Sequence, residues 1–220
     1  MNVHILLVDD HAIVREGLKS LIANQPGMEV IGEASDGLSA VESAVTLKPD
    51  IVIMEVMLKF LNGIEATRKI LAADPRIKVL CLSRHTDKRS VVQMIRAGAS
   101  GFIGKTSNFE ELLQAIKFII DGGVYLSPGI SGFLVDEIRG QKDLEKDSAY
   151  SILTDREREV LQQISEGLTT KEIASSMHVS CKTVETYRKQ IMGKVGIHSI
   201  AGLTKYAVQQ GLSTLSDIID

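Results

Sequence analysis

The sequence has little cysteine, no long hydrophobic run and almost no excess of charge. Its two cysteines, Cys81 and Cys181, match no zinc-binding or disulfide spacing, so both are predicted to be reduced thiols and a redox function is disfavoured. No apolar run approaches the roughly 20 residues that a membrane-spanning helix needs. The stretch Met1 to Ala12 also lacks the cationic start of a signal peptide. A cytoplasmic protein with no membrane partner is therefore expected.

The net charge is only −3 over 220 residues, so charge alone argues neither for nor against nucleic-acid binding. Residues 151–220 contain 8 basic and 8 acidic residues, which makes this segment neutral as a whole. Any contact with DNA must therefore come from a local patch. The length suits two small domains better than one.

Residues 1–122 alternate short apolar runs with helical patterns, which predicts five pairs of strand and helix. The predicted strands are His4–Val8, Met28–Glu33, Ile51–Met54, Lys78–Leu82 and Gly101–Ile103. The predicted helices are Ala12–Ala23, Leu38–Leu47, Gly63–Ala72, Lys88–Ala97 and Phe109–Ile120. The residues of the first helix that are predicted to face inward are Ile13, Leu18, Leu21 and Ile22. This alternation is typical of a doubly wound parallel α/β sheet.

Polar side chains follow four of the predicted strands: Asp9 and Asp10 the first, Glu55 the third, Ser83 the fourth and Lys105 the fifth. Because ligands of open parallel sheets bind beyond the carboxyl ends of the strands, we expect these side chains to gather at one edge. Three carboxylates would repel one another, and all-oxygen ligation favours Mg²⁺. Loops are also commonly polar without binding a ligand, so the pattern alone leaves that alternative open.

Residues 99–106 match a relaxed phosphate-binding loop in which alanine replaces the first glycine. A phosphate loop follows a strand, whereas Phe102 and Ile103 are here predicted to be the strand itself. Nucleotide binding is therefore disfavoured by the context.

The motifs along residues 1–122 resemble those of the receiver domain of two-component response regulators. They are VDDHAIVREGL, PDIVIMEV, NGIEATRKI, LSRH, AGASGF and GK. The resemblance implies a flavodoxin-like, five-stranded parallel sheet in the order 2-1-3-4-5. It also implies a Mg²⁺ site formed by Asp9, Asp10, Glu55 and the backbone carbonyl of Met57. The side chains that would respond to phosphorylation are Ser83, Phe102 and Lys105.

Two positions depart from the receiver pattern: Glu55 replaces the phosphoacceptor aspartate, and Lys59 replaces the usual proline. Glutamate carries its carboxylate one methylene farther out, so attack on a phosphodonor would need a different alignment. Ordinary aspartyl phosphorylation is therefore not expected. The longer side chain places negative charge nearer to where a phosphoryl group would lie. We predict a receiver that is either held partly active-like or switched by another signal.

Residues 123–150 are predicted to be a linker that contains a short apolar helix and, near 140–150, a charged flexible stretch. Residues 151–220 then form a small all-α domain. Capping boxes begin two of its helices, at Thr154 with Glu157 and at Thr169 with Glu172. Ser180 caps a third helix, whose outer face is polar and basic, as in a helix-turn-helix.

The motifs LTDREREVLQQISEG, KEIA and TVETYRKQIMGKVGI resemble the DNA-binding domain of NarL/LuxR-type regulators. Thr170 and Tyr187 replace the family's usual asparagine and frequent histidine. The resemblance implies that base edges are contacted by Glu185, Thr186 and Lys189, and that Lys182, Thr183 and Arg188 lie near phosphates. It also implies homodimers on DNA through the last helix, Ile200 to Gly211.

Together, these features predict a sequence-specific transcription regulator that binds double-stranded DNA and has an atypical receiver, to which a sensor kinase or another protein can dock. The alternative is an enzyme or nucleotide-responsive protein that uses the acidic, Mg²⁺-binding edge. The absence of a catalytic His or Cys constellation favours the regulator.

Overall fold

The computed structural model describes residues 2–138 and 149–214, which divide into two units. The predicted domain limits, 1–122, 123–150 and 151–220, remain predictions. Residues 139–148, which include most of the predicted charged stretch, and residues 215–220 lie outside the described residues. Within the part of the chain that is described, no helix combines the length and apolar character that crossing a membrane requires.

The first unit is built on a parallel sheet of six strands in the order β2-β1-β3-β4-β5-β6. Its strands are β1 (Val3–Val8), β2 (Met28–Ala34), β3 (Ile51–Met54), β4 (Lys78–Ser83), β5 (Gly101–Gly104) and β6 (Tyr125–Leu126). The predicted order 2-1-3-4-5 is confirmed. All four residues of β3 are buried, as expected of a strand covered on both faces.

The sixth strand was not predicted. β6 has only two residues, which are too few for a period-two pattern to be recognised. It extends the sheet at β5, where Gly101 pairs with Tyr125 and Phe102 with Leu126. Glu111 fixes this segment, since its Oε1 accepts hydrogen bonds from the hydroxyl groups of Ser127 at 2.6 Å and Tyr125 at 3.3 Å.

The helices that accompany the sheet are α1 (Ala12–Ala23), α2 (Gly37–Leu47), α3 (Gly63–Ala73), α4 (Lys88–Arg96), α5 (Phe109–Ile120) and α6 (Pro128–Ile138). The helix α6 lies where a short helix was predicted in the linker. In α1, Ile22 is fully buried, but Ile13 is 79% and Leu21 45% exposed, so the predicted inward orientation of these two residues was wrong. At about 100° per residue, Ile13 lies on the opposite side of the helix from Ile22.

The second unit contains the helices α7 (Ala149–Ile152), α8 (Asp155–Ser165), α9 (Thr170–Ser176), α10 (Cys181–Val195) and α11 (Ile200–Gln209). Both predicted capping boxes are present, at the starts of α8 and α9, and the Ser180 side chain caps α10. Their apolar sides form one core, whose members include Val160, Leu161, Ile173, Val184, Ile191, Leu203 and Ala207. The helices α9 and α10, joined by a short turn, have the arrangement of a helix-turn-helix.

Candidate functional site

The polar residues that follow the strands of the first unit meet at one edge of the sheet. Val8 pairs with Met54, so the residues that follow them, Asp9 and Glu55, lie at neighbouring strand ends. Ser83 ends β4 and lies beside β5, and Lys105 directly follows β5. Asp9 and Glu55 are each 4% exposed and Ser83 is fully buried. The carboxyl edge of the sheet therefore holds a largely buried charged cluster.

Both oxygens of the Glu55 carboxylate are engaged. Oε2 lies 2.6 Å from Nζ of Lys105. Oε1 accepts a hydrogen bond from the Ser83 hydroxyl and another, at 2.7 Å, from the N–H of Val56. The Ser83 oxygen in turn accepts the N–H of His85 at 3.0 Å, which orients the hydroxyl toward Glu55. Glu55, which is predicted to stand at the phosphoacceptor position, thus contacts both a lysine and a hydroxyl residue.

Lys105 also forms an ion pair with Asp9 and therefore lies between two carboxylates. Burial alone would lower the pKa of Lys105, but its ion pairs with Asp9 and Glu55 raise that pKa above its ordinary value. The lysine consequently stays charged at neutral pH. It supplies, from within the chain, a cation that partly neutralises the acidic edge.

A second cluster lies beside this one, where oxygen and nitrogen atoms of Asp9, Asp10 and His11 all lie within 4.8 Å of one another. Nδ1 of His11 is 2.7 Å from Asp10 Oδ1 and 3.3 Å from Asp9 Oδ1. The two aspartates fit a Mg²⁺ ion, which is often held by one or two carboxylates and retained waters. Imidazole is a less suitable ligand for that ion.

The predicted metal ligands Glu55 and Met57 lie close to each other, and the Met57 N–H points to Glu55 Oε1 at 3.4 Å. Among the described residues, the cluster of potential ligands comprises the two aspartates and His11, without Glu55. The Glu55 carboxylate faces Lys105 and Ser83 instead. The four-member ligand set of Asp9, Asp10, Glu55 and Met57 therefore remains a prediction. His11 was not predicted from the sequence as a metal ligand, although its position directly after Asp9 and Asp10 could have indicated this role.

Phe102, the predicted aromatic switch, is fully buried in β5. Its backbone carbonyl accepts the N–H of Ser127, the residue that follows β6. Cys81 pairs with Phe102 across the sheet. Burial, reinforced by the charge on Glu55, raises the pKa of the Cys81 thiol well above its ordinary value, so this thiol is protonated and unreactive at neutral pH.

In the second unit, α10 presents the residues that were predicted to bind DNA. Lys182, Glu185, Thr186, Arg188 and Lys189 are exposed, and Thr183 is partly exposed. Val184 and Ile191 are buried on the opposite side. The helix is thus amphipathic as predicted, with its polar side accessible.

One basic residue of α10 is used differently. Nζ of Lys194 lies 2.6 Å from Oε2 of Glu157, a buried residue of α8. The sequence predicted Glu157 only as part of a capping box. The two residues are 37 positions apart, so no local pattern could have indicated their ion pair.

Comparison with known proteins identifies both units. The family model of the response regulator receiver domain matches residues 5–117, and that of the bacterial regulatory proteins of the luxR family matches residues 151–207. The transcriptional regulatory protein DegU of Brevibacillus brevis is 32% identical over 222 residues, which cover 95% of this chain and 94% of DegU.

Two solved structures show the same folds. The crystal structure of a LuxR-family response regulator from Aurantimonas sp. SI85-9A1 is 39% identical and covers 63% of this chain and 99% of its own, with a TM-score of 0.60. RcsB of Salmonella enterica serovar Typhimurium, bound to a promoter in the presence of the phosphomimetic BeF₃⁻, covers 97% of this chain and 100% of its own. Its TM-score is 0.61 and its identity 22%, which supports the fold alone.

Fold and sequence together define a receiver joined to a helix-turn-helix. The chain belongs to the two-component response regulators that carry a luxR-type DNA-binding domain. This is the family that the motifs predicted, and the relatives named above are regulators of this kind. The alternative of an enzyme or nucleotide-responsive protein finds no support in these relatives.

Proposed function

We propose that this protein is a sequence-specific transcription regulator whose receiver is held in a partly active-like state by Glu55 rather than by aspartyl phosphorylation. The observation that supports this proposal is the simultaneous contact of the Glu55 carboxylate with Lys105 and the Ser83 hydroxyl. These are the side chains that, by resemblance to the family, would respond to a phosphoryl group. In this protein the Glu55 carboxylate itself contacts Lys105 and Ser83.

The contacts of Glu55 give a physical reason why the state is only partly active-like. Hydrogen bonds to a charged group each contribute about 1.5–3 kcal/mol. A phosphoryl group carries a charge of about −1.5 to −2 and three acceptor oxygens, whereas a carboxylate carries one charge and two oxygens. Glu55 can therefore engage Lys105 and Ser83, but with less electrostatic attraction than a phosphoryl group provides. The Phe102 side chain, buried in β5, belongs to the same proposed switch.

We further propose that Mg²⁺ binds at Asp9 and Asp10. A bound ion would supply positive charge that reduces the repulsion between these carboxylates. Because Lys105 already neutralises part of the charge on Asp9 and Glu55, the contacts of Glu55 do not depend on the ion. In this proposal Mg²⁺ stabilises the acidic edge, while Lys105 and Ser83 bind the Glu55 carboxylate.

For DNA, we propose that α10 enters the major groove. Glu185, Thr186 and Lys189 would contact base edges, with Lys182, Thr183 and Arg188 near phosphates. All six lie on the accessible side of the helix, which supports the assignment. RcsB, which shares the fold, was solved bound to a promoter. Since the target is DNA, we expect the protein in the cytoplasm.

We also propose that the protein binds DNA as a homodimer through α11, with half-sites about one helical turn apart. Leu203 and Ala207 of α11 are fully buried in the core of their own unit. A contact between two copies would therefore use the accessible side of α11, which includes Lys205 and Gln209. A sensor kinase or another protein docking on the receiver remains a proposed partner.

The proposal is tested by measuring DNA binding with and without the Glu55 charge. Full-length protein is used to select a duplex from random-sequence DNA, and its Kd is then measured without any phosphodonor. Glu55→Gln keeps the length of the side chain but removes its charge, so we expect weaker binding than for the unsubstituted protein. Equal affinity of the two proteins would contradict a receiver held active-like by Glu55. Failure to select any duplex would contradict the DNA-binding function itself.

A further inference from the structure

The end of the proposed DNA-recognition helix is attached to a buried carboxylate. Nζ of Lys194, in the last turn of α10, lies 2.6 Å from Oε2 of Glu157, in the first turn of α8. The side chain of Glu157 is only 3% exposed, whereas that of Lys194 is 39% exposed. The same Oε2 accepts the N–H of Thr154 at 2.8 Å and its hydroxyl at 2.9 Å. One carboxylate thus caps α8 and holds α10.

Lys194 supplies the positive charge that compensates the buried carboxylate of Glu157. Burial would raise the pKa of Glu157, but hydrogen bonds from Lys194 and Thr154 outweigh it and lower the pKa below its ordinary value. The carboxylate is therefore ionised at neutral pH. Removing one partner of a buried ion pair leaves the other charge uncompensated, which is unfavourable. The conformation in which the C-terminal end of α10 contacts the N-terminal end of α8 is therefore favoured.

The other contacts of α10 are less directional. Val184 and Ile191 pack in the apolar core. The burial of apolar area is in itself non-directional, whereas a charge-assisted hydrogen bond has a defined distance and direction. Glu185 and Lys189 lie on the same continuous helix as Lys194, so a shift of its C-terminal end also moves them.

We propose that Lys194 is a positioning residue for DNA recognition and that it acts through Glu157 rather than by contacting phosphate. The inference rests on the proposed DNA-binding function of α10. It also means that Lys182 and Arg188 are the basic side chains of α10 proposed to lie near phosphates, because Lys194 is committed to Glu157.

The salt dependence of binding distinguishes positioning from phosphate contact. Each phosphate contact contributes about 0.9 to the slope of log K against log salt concentration. The full-length protein and its variants are titrated at several salt concentrations with a duplex selected by the unsubstituted protein. Lys194→Met should weaken binding by roughly tenfold, within the range that coupled residues show, and leave the slope unchanged. The matched control Lys182→Met should instead reduce the slope by about 0.9.

A double-mutant cycle tests the connection to Glu157. Glu157→Gln should weaken binding to a similar extent as Lys194→Met, and the double variant should be no weaker than either single one. Lys194→Arg keeps the charge and should restore most of the affinity. Circular dichroism of each variant confirms that the helices are retained. If Lys194→Met does not fold, Glu157→Gln carries the test, because it leaves the Lys194 charge free to contact phosphate.

Three results would overturn the positioning role: a slope reduced by Lys194→Met, additive effects of the two single variants, or unchanged or tighter binding by Glu157→Gln. If the unsubstituted protein selects no duplex, the proposed DNA-binding function fails, and the positioning role fails with it. A protein that selects a duplex but shows a reduced slope for Lys194→Met overturns the positioning role alone.

Discussion

Nζ of Lys105 lies 2.6 Å from Oε2 of Glu55, and the same ammonium group is paired with Asp9. This relationship gives the acidic edge of the sheet a cation from the chain itself. It also connects Glu55, which departs from the receiver motif, with Lys105, which matches that motif. Predictions about the stability and switching of the receiver follow from this contact.

Lys105→Met should lower the free energy of unfolding of the receiver by about 2–3 kcal/mol, because Asp9 and Glu55 are left as neighbouring buried carboxylates. Added Mg²⁺ should restore part of the loss if it binds at Asp9 and Asp10. Urea denaturation with and without Mg²⁺ measures both effects. The control Lys19→Met removes a half-exposed ion pair with Glu33 and should change stability by less than about 1 kcal/mol.

The Lys105 contribution should also depend on pH. Its pKa is raised in the folded protein, so the stabilisation is fully present below the ordinary lysine pKa. It is lost as pH rises through the raised value. In urea denaturation above about pH 10, the difference between the unsubstituted protein and Lys105→Met should therefore shrink. A difference that is constant up to strongly alkaline pH would contradict the ion pairs.

The stabilisation that Glu157 provides should be lost at low pH rather than at high pH. Burial raises its pKa, but the hydrogen bonds from Lys194 and Thr154 lower it overall, so its stabilisation is present above the ordinary glutamate pKa of about 4.3. That stabilisation is lost as pH falls through the lower, folded-state value. Glu157→Gln should therefore reduce the protection of α8 and α10 in hydrogen exchange at pH 7, and this reduction should become smaller as pH is lowered below the ordinary glutamate pKa. A reduction in protection that does not depend on pH would contradict this assignment.

Gly63→Ala should strongly destabilise the receiver. A Cβ atom at Gly63 would lie 2.0 Å from the backbone oxygen of Glu55, so the loop that carries Glu55 would have to move. We expect a loss of about 3 kcal/mol or more, as for other severe overpacking. Gly17→Ala is the control, because no atom lies within 4 Å of its added Cβ and alanine favours a helix. The two urea midpoints should shift in opposite directions.

Lys189→Ala should abolish or relax specific DNA binding, because Lys189 is proposed to contact base edges. Lys117→Ala is the control, since it removes one exposed lysine from α5, a helix of the receiver that is not proposed to contact DNA. Footprinting and competition with unrelated DNA measure affinity and sequence preference. Unchanged preference for Lys189→Ala would refute its assignment.

The resemblance to receiver domains predicted the strand order. The sequence predicted which residues meet at the sheet edge because parallel strands place their carboxyl ends together. It predicted α10 because apolar and polar residues alternate there with a helical period. By contrast, β6 is too short for a pattern, and the orientation of Ile13 was wrong because several apolar residues of α1 offered competing inward faces. The pairing of Lys194 with Glu157 depends on tertiary packing, which no local pattern reveals.

The contacts of Glu55 were also only partly predictable. The motifs placed Ser83 and Lys105 near it, and the length of glutamate indicated a carboxylate close to the phosphoryl position. Which oxygen contacts which partner, and the placement of Lys105 between Glu55 and Asp9, required the folded structure.

Whether Glu55 takes the place of a phosphorylated aspartate is decided by incubating the full-length protein with acetyl phosphate and Mg²⁺. Intact-mass spectrometry then measures bound phosphate, and the Kd for the selected duplex is measured in the same samples. We predict no stoichiometric phosphate on Glu55 and a Kd that does not change. Stoichiometric, Mg²⁺-dependent phosphate on Glu55 together with tighter DNA binding would contradict a receiver held active-like by its own carboxylate.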